Sequence, residues 1–395
     1  MIINDFVKNF IREHAGDDLS RLLLSASRYP DINIPFVVDQ IAARRRIREK
    51  LPSWHGIEDL IYPSRLAVEQ CSSEQTARYR QRLVGREDIV CDLTGGLGVD
   101  SYYFSRKAKE VIYIERFADY AQAAVHNMAV LGAGNIQIRQ GDATEMIASL
   151  PAPDVFYIDP ARRGKENKRL FALSDCEPDL PALLPMLLAK APKVIAKISP
   201  MADIRHTLDL LPQTSSVHVL SVGNECKELL FVIERSSERP VPVYCIDFTT
   251  EGEENTFRFT LEEEQEIRLL PARCVQTYLY EPNSSLMKAG AFKSLAVRFD
   301  MEKLAVSSHL YTSGRFTDHF PGRVFRVDEV IPFQSKTIKS LSAKYPKANI
   351  AVRNFPLSVE ELRKQTKIKE GGDIFLFATL LSDCSKVIIA GKKYR

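Results

Sequence analysis

Val90-Cys91-Asp92-Leu93-Thr94-Gly95-Gly96-Leu97-Gly98-Val99-Asp100 is the stretch on which the fold turns. Ile89 to Cys91 is a short apolar, β-branched run of the kind that forms a buried parallel strand. Asp92 ends it. Gly95, Gly96 and Gly98 then let the backbone turn sharply and approach a ligand with no Cβ in the way. Ser101 to Ala108 can begin a helix, whose first N–H groups lack partners within the helix. The glycine spacing is not G-x-G-x-x-G, and no Gly-Lys-Ser/Thr follows as a P-loop requires. In an open α/β sheet such a loop lies at the carboxyl end of a strand, where ligands bind. It points to a nucleotide-like cofactor.

The residues that follow repeat the strand–helix alternation. Glu110 to Ile114 reads as a second strand with Glu115 at its end. A dinucleotide fold places its ribose-binding acid there, about 20 residues after the loop. Phe117 to Leu131 has helical spacing and is stopped by Gly132 and Gly134. Ile136 to Arg139 is a third strand, followed by Gly141-Asp142-Ala143. Asp154 to Ile158 is a fourth, ending in Asp159-Pro160-Ala161-Arg162-Arg163. Lys193 to Ile198 is a fifth, and Val217 to Val222 and Leu229 to Glu234 are a sixth and seventh, reversed at Gly223-Asn224.

Residues 85 to 236 in this order resemble the class I S-adenosylmethionine-dependent methyltransferases, with their seven-stranded Rossmann-like sheet and antiparallel last strand. That family has glycine where Thr94 stands, while Gly96 and Gly98 keep the tight part of the turn. The resemblance implies S-adenosylmethionine as cofactor. It places Asp92, Thr94, Gly95, Gly96 and Gly98 around the methionine end, Glu115 on the ribose, and Asp142 and Ala143 at the adenine.

The length of 395 residues allows two or three domains of about 150 residues. Apolar residues make up 45%, and the net charge of +3 is too small to announce nucleic acid. Seven scattered cysteines form no CxxC, which fits reduced thiols in a cytoplasmic protein. The histidines do not cluster, so no metal site is legible. Met1 to Phe10 lacks the make-up of a signal peptide, and no uninterrupted apolar stretch reaches a membrane span of about 18 residues. No oligomeric state can be read.

Residues 1–84 read as a helical N-terminal domain, with helical spacing over Leu19–Leu24, Ile34–Leu51 and Ser73–Leu83. Arg44-Arg45-Arg46-Ile47-Arg48 is either a solvated helix face or a phosphate-contacting arm. Past Ser236 the pattern changes to short alternating runs (Tyr244–Thr249, Thr256–Thr260, Leu304–Leu310), giving a small α+β, ferredoxin-like module over 237–316. Residues 317–395 give a second. Its strands are Arg323–Val330, Asn349–Asn354, Phe375–Leu381 and Ser385–Ala390, its helices Ser335–Ala343 and Ser358–Gln365. Ser358 with Glu361 is a capping box. Asn354-Phe355-Pro356-Leu357 through Gly371-Gly372-Asp373 is similar to the THUMP-like domain that follows some bacterial methyltransferases. THUMP modules are associated with RNA, and this tail is basic, from Lys336 to Lys369 and on to Arg395.

Methyl transfer is an in-line displacement, so the acceptor must be held about 3–3.5 Å from the methyl carbon. Asp159 can accept a hydrogen bond from an acceptor amine, and Pro160 stiffens the turn. The segment departs from the Asp-Pro-Pro-Tyr motif of amino-methylating relatives: Ala161 and Arg162 replace the second proline and the aromatic ring. A guanidinium plane can also stack on a base. Asp-Pro-Ala-Arg resembles the motif of carbon-5 uracil methyltransferases too. Those need a cysteine after the fifth strand, where this chain has Lys197-Ile198-Ser199-Pro200-Met201, so the carbon-5 mechanism is rejected. Arg162, Arg163 and Lys165, with Lys168 and Arg169, form a basic loop suited to clamping phosphate beside the target base. The expected catalytic residues are Asp159, Pro160 and Arg162. The expected substrate is RNA, methylated at a base nitrogen. The alternatives are a small-molecule or protein methyltransferase, or a catalytically silent RNA-binding protein.

Overall fold

The computed structural model describes residues 4–162 and 173–394. Arg163, Lys165, Lys168 and Arg169 of the expected phosphate clamp lie outside the described residues. The chain divides into two compact units, Met1–Ser215 with Leu230–Ser237, and Ser216–Leu229 with Glu238–Arg395. All seven cysteines are free, and among the described residues no helix is long and apolar enough to cross a membrane.

The first unit is built on strands β1 (Ile89–Asp92), β2 (Glu110–Glu115), β3 (Ile136–Gln140), β4 (Val155–Ile158) and β5 (Lys193–Ile198). Two more, β6 (Thr214–Val222) and β7 (Glu225–Glu234), form a hairpin of which residues 216–229 belong to the second unit. The order in this unit is β7-β5-β4-β1-β2-β3, and the pairs among β1 to β5 are parallel. β1, β2 and β4 are apolar on both faces because helices cover both sides of a parallel sheet. Register aligns the strand ends: Asp92 stands beside Tyr113 and Tyr157, and Ile158 beside Ala196. Asp92, Glu115, Asp159 and Lys197 therefore collect along one edge of the sheet. The hairpin turns at Gly223 and Asn224, both with positive φ (56° and 62°), as a two-residue turn matched to strand twist needs.

Residues 1–84 are helical, with Leu19–Leu24, Ile34–Lys50 and Glu74–Gln81 close to the expected spans. Ile47, Leu51 and Trp54 are buried in one cluster with Leu97, Tyr103 and Met128, so the helices close over the glycine loop. Within the basic run 44–48 three arginines are engaged by the fold, while Arg48 is exposed. Arg44 donates to the carbonyls of Glu58 and Leu60, both at 2.8 Å, Arg45 to those of Ala15 and Asp17, and Arg46 to Glu69. The Arg44 and Arg45 guanidiniums satisfy carbonyls of the segments that wrap the helix, and Arg46 pairs with a carboxylate.

In the second unit, strands β8 (Pro242–Phe248) and β9 (Glu254–Thr260) follow the hairpin. β8 runs parallel to β6, and β9 antiparallel to β8. A second sheet contains β10 (Tyr278–Pro282), β11 (Glu302–Lys303), β12 (Tyr311–Ser313), β13 (Gly322–Pro332), β14 (Asn349–Arg353), β15 (Ile374–Leu380) and β16 (Lys386–Lys393). Its order is β11-β12-β10-β13-β16-β15-β14, so strands from both sides of residue 317 share one sheet. Leu304–Leu310, expected as a strand, is a closed loop: the Leu304 N–H donates to the Leu310 carbonyl at 2.9 Å and both side chains are buried. Two leucines facing one core across a loop imitate strand spacing. The capping box at Ser358 and Glu361 is formed.

Candidate functional site

The glycine loop is held by its own residues. Asp92 exposes none of its surface. One of its oxygens accepts from the Thr94 N–H at 3.0 Å, the other from the Ser101 hydroxyl at 2.6 Å. Its place is therefore behind the loop, fixing strand end to helix start, and not among the groups a ligand can touch. Burial pushes its carboxyl up to about 7 against those hydrogen bonds. A carboxyl raised in the folded state adds stability below its unfolded pKa of about 3.9 and loses it as pH climbs through the folded value. Stability of the wild type relative to Asp92→Asn should accordingly fall between pH 4 and 7, by a few kcal/mol at about 1.4 per unit. Parallel urea titrations of the two proteins across that range, giving an unchanging difference, would place Asp92 as an ordinary acid.

Gly95 cannot carry a side chain, because a Cβ would sit 2.2 Å from the Tyr113 ring. Gly98 starts the helix Val99–Ser105 with φ at 81°, and a Cβ there would press on Met128. Gly96 keeps an open approach, its only neighbour within 4 Å of a Cβ being the Thr94 carbonyl at 3.8 Å. Its N–H donates to Glu115 at 2.8 Å, and the Phe117 N–H donates to the other Glu115 oxygen at 2.8 Å. Glu115 is 7% exposed. Each carboxylate oxygen has two lone pairs, so Glu115 retains acceptor capacity for a pair of hydroxyls. Asp142 caps the turn Ala143–Met146, accepting from the Thr144 N–H at 2.8 Å and hydroxyl at 2.6 Å. That hydroxyl bond comes first among the causes that hold its carboxyl below the usual range. Ala143 is buried beneath it.

Asp159 follows β4 and is tied directly to the loop: its N–H donates to the Thr94 hydroxyl at 2.8 Å. Thr94 thus bridges the two motifs. The Lys197 ammonium donates to one Asp159 oxygen at 2.5 Å, and the Asp159 side chain remains 34% exposed. Pro160 is half-buried beside it. The backbone of Arg162 pairs with Cys176 in a two-residue antiparallel ladder.

Five residues beyond those expected complete the arrangement. Lys197 also donates to the Ser72 hydroxyl at 3.3 Å, which donates to Asp100 at 2.8 Å. Asp100 accepts from the Tyr157 hydroxyl at 3.0 Å and from Arg80, whose Nε lies at 2.9 Å. The Arg80 side chain has no exposed surface. Burial works to raise the Asp100 carboxyl, but the charges of Arg80 and Lys197 outweigh it and hold it below the usual range. A buried cation–anion network thus runs from the N-terminal helices to Asp159. Lys197 was legible as the β5 neighbour of a β4-end acid; Ser72 and Arg80 carried no such signal.

The geometry has a close counterpart. A crystal structure of a candidate methyltransferase from Porphyromonas gingivalis W83 is 38% identical, with 100% of each chain covered and a TM-score of 0.90. The chain belongs to the class I methyltransferases. In this methyltransferase, residues 322–393 match the model of a THUMP-like domain and residues 278–321 that of a ferredoxin-like domain. A protein of Protochlamydia amoebophila, named as an uncharacterized RNA methyltransferase, is 30% identical over 199 residues, 45% of this chain and 43% of its own. One of Listeria monocytogenes with the same designation is 27% identical over 184 residues, 42% of this chain and 40% of its own. The methyltransferase spans from 22% to 43% of the length of the curated relatives it matches.

Proposed function

We propose that this methyltransferase uses S-adenosylmethionine to methylate a base nitrogen in RNA. The observation that carries the reading is the juxtaposition at Thr94: one residue of the glycine loop holds the Asp159 backbone, and Lys197 orients the Asp159 carboxylate. Cofactor-side and acceptor-side groups are thereby set at one strand edge. The residues fit the donor. Gly96 leaves room for it, Glu115 has lone pairs to accept both ribose hydroxyls, and Asp142 can accept the adenine amine. The sulfonium supplies the activated methyl group. The chain's own task is to orient the acceptor. With one oxygen engaged by Lys197, the other Asp159 oxygen can accept from the amine or ring N–H of a base, aligning the nitrogen for in-line attack. Pro160 leaves the adjoining carbonyls unencumbered. Arg162, Arg163 and Lys165 are assigned to the flanking phosphates, and residues 317–395 to the body of the RNA, in keeping with the THUMP-like match.

The deciding experiment incubates the full-length protein with radiolabelled S-adenosylmethionine and RNA from a strain lacking the gene, followed by nucleoside analysis. Label in a single N-methylated nucleoside is expected. Label confined to protein or small molecules would overturn the RNA assignment. Cofactor binding is checked separately by calorimetry. Glu115→Ala removes charge-assisted acceptors and should weaken affinity by about 1.5–3 kcal/mol. Equal affinity in that variant would remove Glu115 from the ribose site.

A further inference from the structure

The second unit carries a surface that the methyl-transfer site does not use. Antiparallel register places directly opposed residues on one face of a sheet. Tyr278 of β10 is opposed to Arg326 of β13, and Arg326 to Lys392 of β16. Tyr394 extends the row, its N–H donating to the Val324 carbonyl at 2.8 Å. Phe316, from the loop after β12, joins them. The ring centroids lie 5.3 Å apart for Tyr278 and Tyr394, 5.0 Å for Phe316 and Tyr394, and 5.8 Å for Tyr278 and Phe316. The loop is fixed in place. The Tyr280 hydroxyl donates to the Arg315 carbonyl at 3.1 Å and accepts from the Thr317 N–H at 2.9 Å, bracketing Phe316.

Leu279, Phe325, Phe377 and Ile389 build a core on the other face of the sheet, while Tyr278 and Phe316 are half-buried and Tyr394 lies open at the edge of the cluster. Tyr394 is 51% exposed, and Arg315, Arg326 and Lys392 are exposed around the cluster. Among the described residues no carboxylate forms an ion pair with Arg315, Arg326 or Lys392. Glu281, on the same strand as Tyr278, is already gripped by Arg323 and Arg353. Pre-set aromatic rings interleaved with unneutralised cations match a chain that offers flat π-faces and regularly spaced negative charge. An apolar protein partner would leave those cations desolvated and unpaired.

We infer that Tyr278, Phe316 and Tyr394, with Arg315, Arg326 and Lys392, form a stacking platform for unpaired bases of single-stranded RNA. The inference rests on the RNA reading above and adds where a second, non-reacting stretch of the substrate is held. Rings grip bases by their faces without reading their edges, so the platform tolerates any sequence.

The test uses the full-length protein and a fluorescein-labelled single-stranded 12-nucleotide RNA of mixed sequence, with the matching duplex as comparison, read by anisotropy across a salt series. Phe316→Ala and Tyr394→Ala lie in a loop and beyond the last strand, away from the core. Each should weaken single-strand binding by about tenfold, while Tyr394→Trp preserves it. Neither alanine variant should alter the salt slope, whereas Arg326→Ala should lower it by about 0.7. If the wild type binds and both alanine variants bind equally well, the platform is wrong and the RNA reading stands. If the wild type binds neither single strand nor duplex, both fall. Tighter duplex binding, indifferent to the aromatic substitutions, also overturns the platform.

Discussion

Asp159→Ala is expected to cut methyl transfer by about 10²–10⁴-fold, the range associated with loss of a positioned proton-handling group, while cofactor affinity stays at the wild-type level. The separation follows from geometry. The backbone N–H of residue 159 bonds to Thr94 and survives the substitution, so the glycine loop keeps its anchor. The carboxylate is lost, and with it one partner of Lys197. Lys197→Met should reproduce part of the defect, because Asp159 then keeps its acceptor oxygens but not the cation that orients them. Single-turnover methyl transfer combined with calorimetry separates the two contributions. Near wild-type turnover in Asp159→Ala would make that residue an acid at a strand end with no part in the reaction.

Asp100→Ala should cost about 3–5 kcal/mol of folding stability, the range for removing one partner of a buried ion pair. The Arg80 side chain has no exposed surface, so its charge would lose the Asp100 carboxylate within the interior. The loss is also expected to spread to the site, since Asp100 accepts from Ser72, which accepts from Lys197. Restoring neutrality with a second change, Arg80→Met, should recover part of the stability but not the alignment of Asp159. Urea unfolding of the single and double variants checks both statements. A single variant within about 0.5 kcal/mol of the wild type, as surface changes usually are, would mean that water reaches Arg80 after all.

The parallel sheet was legible because its strands announce themselves locally. A strand buried on both faces must be apolar throughout, and β1 to β4 each end in an acid or glycine at the ligand-facing tip, so Asp92, Glu115, Asp142 and Asp159 could be named from order alone. The same local logic misread Leu304–Leu310, where two leucines meet one core across a loop. It could not settle residues 44–48 either, because their fate depends on which carbonyls the fold brings within reach. Nor could it separate the acids by task. Asp92 and Glu115 both sit at strand ends, yet Asp92 is sealed behind the loop by Thr94 and Ser101 while Glu115 keeps lone pairs to spare. Sequence by itself determined the order of strands, the glycine loop and the acids at the sheet edge, since these follow from neighbours along the chain. Tertiary structure alone decided the route from Arg80 and Ser72 through Asp100 and Lys197 to Asp159, and the meeting of Tyr278, Phe316 and Tyr394. Those contacts join residues from 20 to 125 positions apart, a separation at which chain periodicity carries no information and only packing and register choose the partner.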